Sequence, residues 1–68
     1  MSVGYFIAKS TSEVDLASHC YSSANEAAQD IMDMTPDGEW PKYVVVEILY
    51  SNGQPVEFNI VEFGPPGP

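Results

Sequence analysis

Residues 43–63, YVVVEILYSNGQPVEFNIVEF, decide how this chain folds. β-Branched and aromatic residues run nearly unbroken on both sides of Asn52-Gly53, and such a pair between two apolar runs is the strongest short-range signal for a β-hairpin. The register sets which side chains meet. A two-residue loop at Asn52-Gly53 would set Phe58 opposite Glu47 and Val46 opposite Asn59, mixing charge with core on both faces. A three-residue loop, Ser51 to Gly53 with Gly53 in the left-handed position of a bulge, pairs Ile48 with Val56, Val46 with Phe58 and Val44 with Ile60. That gives one uniformly apolar face, and burial should select it, because a slip of one residue turns every side chain over. The same register sets Glu47 directly across from Glu57, beside Tyr43, Val45, Leu49, Asn59 and Val61. Like charges directly opposite are destabilising, so stability alone does not account for this choice.

Sixty-eight residues make one domain. At this size roughly 60% of the unfolded surface is buried, which allows one thin core and no deep active-site cleft. Ten Asp and Glu stand against two Lys, for a formal net charge of −8. An excess of this kind favours basic partners and disfavours nucleic acid and anionic membrane. The acids are spread over Glu13, Asp15, Glu26, Asp30, Asp33, Asp37, Glu39, Glu47, Glu57 and Glu62, so they sit on structured elements and do not form an acidic tail. A merely solubilising surface is the plain alternative. The near absence of compensating cations argues against it, because ordinary surfaces intersperse both signs.

A single cysteine, Cys20, leaves no intramolecular disulfide and fits a reducing cytoplasm. The first residues carry no basic segment followed by an apolar run, and nowhere do about eighteen apolar residues run together, so neither a signal peptide nor a membrane span is expected.

Residues 3–9, VGYFIAK, read as a first strand, and Ser10-Thr11-Ser12 as a polar turn. Residues 13–21, EVDLASHCY, alternate in polarity and are expected to form a second strand hairpinned to the first. Ser23-Ala24-Asn25-Glu26 is a capping box. Ala24, Ala27, Ala28, Ile31, Met32 and Thr35 then recur at helical spacing until Pro36 and Gly38, which predicts one helix with a small-residue stripe against the sheet. Its outer side carries Glu26, Asp30 and Asp33 at i, i+4 and i+7, a row without a basic neighbour. Residues 37–42 form a connecting loop in which Trp40 either closes the core or stands as an exposed anchor. Residues 1–63 make the domain, and the Pro/Gly-rich residues 64–68 an extended tail. The expected fold is α+β: a four-stranded antiparallel sheet in the order β-β-α-β-β, with the helix on one face and the other face open and acidic.

Catalytic constellations are weak here. Adjacent residues of a strand point to opposite faces, so His19 and Cys20 would not meet as base and nucleophile, and Cys20 is expected to be a small core residue. No further His or Cys exists to build a metal site. Glu47 and Glu57 could form an acid/base dyad, but an open sheet face holds no substrate. No phosphate-binding glycine loop follows a strand. Neither an enzyme nor a cofactor is expected. RNA-binding sheets surround stacked bases with Lys and Arg, whereas this one offers Glu47 and Glu57. Imitation of nucleic acid fits the charge better than binding to it.

In size, charge and element order the whole chain resembles the small acidic anti-CRISPR proteins of phages and mobile elements, most of all an inhibitor of the type I-C system. The resemblance has no sequence motif behind it. It implies binding to the crRNA-guided surveillance complex in the bacterial cytoplasm, at the large subunit that reads the PAM, so that target DNA cannot dock. The contact candidates come from the face assignment: Glu13, Asp15, Glu47 and Glu57 first, then Glu26, Asp30 and Asp33. An antitoxin-like module that neutralises a basic toxin or nuclease is the alternative. The chain is expected as a monomer, with an edge-paired dimer as the other state.

Overall fold

The run Val44-Val45-Val46 puts β-branched side chains on both faces of one strand, a pattern that suits a strand covered on both sides. In the computed structural model, which describes residues 2–39 and 41–61, this strand is β2 (Val44–Ser51). It lies between β1 (Ser2–Ala8) and β3 (Gln54–Val61) in a three-stranded antiparallel sheet. A 3-10 turn (Thr11–Glu13) and one helix, α1 (Ala24–Met34), lie in the connection from β1 to β2. The protein is α+β, with an antiparallel sheet and one helix among the described residues. Trp40, the strand end expected at 62–63 and the tail at 64–68 lie outside them.

The strand expected at 13–21 does not form. Asp15 closes a local turn instead: its carboxylate accepts from the Ala17 amide at 2.9 Å, and its carbonyl accepts from the Ser18 amide at 2.9 Å and the Ser18 hydroxyl at 2.6 Å. These short-range bonds compete with a β ladder for the same backbone groups. Of this stretch only Tyr21 pairs with the sheet, as an isolated bridge in which its amide donates to the Tyr5 carbonyl at 2.8 Å. β1 therefore pairs with β2, matching Gly4 with Ile48, Phe6 with Val46 and Ala8 with Val44.

The hairpin itself is present in a different register. Asn52 and Gly53 both have positive φ, 55° and 79°, the backbone of a two-residue type I′ turn that Asn-Gly favours. Ser51 faces Gln54 and Tyr50 faces Pro55. A bulge then inserts Val56, after which Leu49 faces Glu57, Ile48 faces Phe58, Glu47 faces Asn59 and Val46 faces Ile60. The extra residue is what the two-residue loop needed, because it restores apolar-to-apolar matching beyond the turn. Glu47 is thus not across from Glu57, and no like-charge pair is built into the ladder. The observed register differs from the expected one by two residues, so each side chain keeps its expected face.

Both faces of β2 are covered, by different parts of the chain. On one, Ala27 and Ile31 of α1 pack on Val45, with Tyr5, Ile7, Tyr21, Ala24, Ala28 and Val61 around them. On the other, Phe6, Ala8, Val46 and Ile48 form a second cluster against Val14, Val44 and Tyr50. The helix therefore sits on the face that carries Glu47 and Glu57, which was expected to lie open. The physical reason is fit: alanines at 24, 27 and 28 let the helix approach closely, and Tyr5, Ile7, Val45 and Val61 supply an apolar floor on that side. Met32, assigned by spacing to the buried stripe, is 48% exposed.

Ser23 caps α1, its hydroxyl accepting from the Glu26 amide at 3.2 Å. The Glu26 carboxylate accepts from the Ser22 hydroxyl at 2.6 Å, so the reciprocal half of the expected capping box is replaced. The helix stops at Thr35, whose hydroxyl donates to the Ile31 carbonyl at 2.7 Å.

Gly4 is buried in β1, and a Cβ there would stand 3.0 Å from Cys20 Sγ and 3.2 Å from Phe6 Cε1. Gly4→Val is expected to destabilise the fold by about 1–3 kcal/mol, the usual range for overpacking. Urea unfolding of the two proteins would measure it, and equal midpoints would contradict this packing.

Candidate functional site

Register and packing bring five carboxylates to one side of the molecule. Glu47 and Glu57 alternate along their strands with Val45, Leu49, Asn59 and Val61, and Val45 and Val61 touch the helix cluster. They therefore share the sheet face on which α1 lies. Glu26, Asp30 and Asp33 are exposed on α1 itself, with residues 26 and 30 about 6 Å apart along the axis from the rise per residue. Glu13 and Asp15 are not part of this group. Val14, between them, packs on the cluster of the opposite face.

Neutral donors orient four of the five carboxylates. The Tyr21 hydroxyl donates to Asp30 at 2.6 Å, the Ser22 hydroxyl to Glu26 at 2.6 Å, the Tyr5 hydroxyl to Glu47 at 3.3 Å and the Asn59 amide to Glu57 at 2.7 Å. A hydroxyl or amide fixes a carboxylate's direction without cancelling its charge, whereas a lysine or arginine would do both. The outcome is a set of aimed negative charges. Tyr5, Tyr21, Ser22 and Asn59 are functional candidates that the sequence reading did not single out. The Ser22–Glu26 spacing beside the helix start was visible in the sequence; the tyrosine contacts needed the tertiary pairing.

The tyrosines register the field of this face. The hydrogen bond to Asp30, then burial, then the carboxylate's charge push the Tyr21 phenol up to about 12. Burial first, then the charge of Glu47 and the bond to it, raise Tyr5 in the same direction. Both phenols hold their protons more firmly in the folded chain than the ordinary tyrosine value of about 10. The stability this contributes is whole below pH ~10 and is lost as pH rises through the folded values. Following phenolate absorbance, Asp30→Asn is expected to lower the phenol that titrates near 12 toward the ordinary tyrosine range, leaving only the part of the shift that burial causes. An unchanged titration would mean that Asp30 does not hold Tyr21.

His19 and Cys20 lie in irregular chain, so strand alternation does not separate them. The His19 ring packs edge-on against Tyr21 at 4.4 Å between centroids, and the Cys20 thiol donates to the Tyr21 carbonyl at 3.8 Å. Cys20 is exposed, although its sulfur fills the space above Gly4. It is a surface residue against the sheet and not the buried one its spacing suggested, because the loop around Asp15 replaces the expected strand.

A cavity of about 280 Å³ opens between the end of α1 and the start of β2, lined by Met34, Thr35, Pro36, Glu39, Lys42 and Tyr43. It holds one carboxylate and one ammonium side chain and none of the residues of the acidic face. Among the described residues no three His, Cys, Asp or Glu side chains gather as metal ligands. No described helix is long and apolar enough to cross a membrane. No protein-family model, curated protein or solved structure matches this chain.

Proposed function

We propose that this chain is an anti-CRISPR inhibitor that acts inside the bacterial cell as a DNA mimic. Its helix-side face, formed by Glu26, Asp30, Asp33, Glu47 and Glu57, occupies the basic DNA-binding surface of a type I surveillance complex, I-C by resemblance, at the subunit that reads the PAM. Proteins that hold DNA present clustered Lys and Arg to its phosphates, and a set of carboxylates on one side of the molecule offers those cations an alternative. The protein performs no chemistry in this role. The observation that carries the reading is the neutral clamping of Asp30, Glu26, Glu47 and Glu57 by hydroxyl and amide donors, which holds the charges in place uncancelled.

The test is a gel shift of target DNA by a purified type I-C surveillance complex with increasing amounts of this protein. Loss of the DNA shift that weakens as salt is raised is the expected result, because competition for phosphate-binding cations is electrostatic. An undiminished shift at excess protein would overturn the reading for that complex. It would leave an antitoxin-like acidic module as the rival to pursue.

A further inference from the structure

Among the described residues β3 is hydrogen-bonded on one side only, to β2, and the 3-10 turn (Thr11–Glu13) approaches it without a backbone hydrogen bond. Among the described residues, no backbone hydrogen bond outside that ladder involves residues 54–61. Natural edge strands resist further pairing through lysines, prolines, bulges or shortness. Here the proline, Pro55, and the bulge at Val56 stand next to the turn, while Glu57 to Val61 continues in regular register without a lysine. Side chains alternate along this stretch. Glu57 and Asn59 lie on the helix side, and Phe58 and Ile60, 39% and 56% exposed, lie on the other.

We infer that the free edge of β3 accepts an extended segment of a partner protein by strand addition, and that the segment alternates apolar residues with Lys or Arg. In strand addition, backbone hydrogen bonds supply affinity and alternate side chains supply specificity. Apolar residues of the added strand extend the row of Phe58 and Ile60. Its basic residues fall beside Glu57, which Asn59 holds at 2.7 Å, with Glu47 one strand further in. Charge complementarity selects this occupant over a second copy. Pairing two β3 strands would bring together two chains of net charge −8 and supply no cation to Glu57. The inference concerns recognition of a backbone and stands apart from competition with DNA.

The probe is a labelled octapeptide alternating lysine and valine, followed by fluorescence anisotropy with the full chain. A block peptide of the same composition, lysines first and valines after, separates strand pattern from bulk charge. The alternating peptide is expected to bind about tenfold tighter than the block peptide, since several cross-strand pairs contribute a few tenths of a kcal/mol each. The double variant Glu57→Lys, Ile60→Lys, checked for folding by circular dichroism, is expected to lose that preference. Amide exchange should slow along residues 57–61 when the alternating peptide is bound. Equal affinity for the two peptides would overturn the proposal, and so would sedimentation showing that two copies already cover this edge.

Discussion

Replacing Ile31 by alanine is expected to destabilise the protein by about 2–5 kcal/mol, the range for removing a large aliphatic side chain from a core. Ile31 is fully buried and lies with Ala27 and Val45 at the centre of the helix-side cluster. Its helical neighbours at 24, 27 and 28 are alanines, too short to reach into the space it would leave. For a domain of this length the whole stability is of the order of 3–10 kcal/mol, so the loss takes up a large share of it. Urea unfolding monitored by circular dichroism would show the midpoint collapse. A shift as small as that of an exposed Met32→Ala variant would mean that the helix is not docked through Ile31.

Reversing the acidic row on the helix is expected to have the largest effect on DNA competition. The triple variant Glu26→Lys, Asp30→Lys, Asp33→Lys changes the net charge from −8 to −2. It also places ammonium groups where the proposed partner presents its own cations, and like-charge contact across an interface opposes binding strongly. In the gel-shift assay its inhibitory concentration should rise by about a hundredfold, near 2.7 kcal/mol. The pair Glu47→Lys, Glu57→Lys should weaken inhibition as well. It should not stabilise the fold, because Glu47 faces Asn59 and accepts from Tyr5 and relieves no repulsion when removed. Glu13→Lys, on the segment that covers the opposite face, is the comparison and should inhibit nearly as well as the native chain. Equal inhibition by all these variants would place the active surface elsewhere.

Much of the fold was legible because it rests on local chemistry. Asn52-Gly53 announced the hairpin, Ser23 the start of the helix, and the run before Pro36 its length. The hairpin register is not legible because one feature, the bulge at Val56, has no local signature: Val56 is an ordinary strand residue, and it becomes an extra one only when Ile48 and Phe58 must meet. Residues 13–21 depart from their sequence pattern for a related reason. Their alternation imitates a strand, but Asp15 and Ser18 close a turn on themselves, and polar residues of that kind compete with a ladder. The unbroken Val44-Val45-Val46 was the signal of a strand buried on both faces, and it outweighs the inference from one apolar face alone.

The candidate site divides along the same line. Which residues carry negative charge, and that Glu26, Asp30 and Asp33 share one side of a helix, follow from composition and the helical repeat. That Glu47 and Glu57 lie on one sheet face follows from matching the apolar faces of the two strands, which a register shift of two residues preserves. The choice of which face takes the helix, and hence whether the two acidic sets share a side, depends on small alanines fitting a floor made by β1, β2 and β3 together. So do the clamps from Tyr5 and Tyr21, whose partners are remote in sequence or held there by the bridge to β1. Local patterns determine elements and the faces of their side chains through backbone geometry. Only the packed chain decides which faces meet, because that choice is made by shape and buried area summed over elements far apart in the sequence.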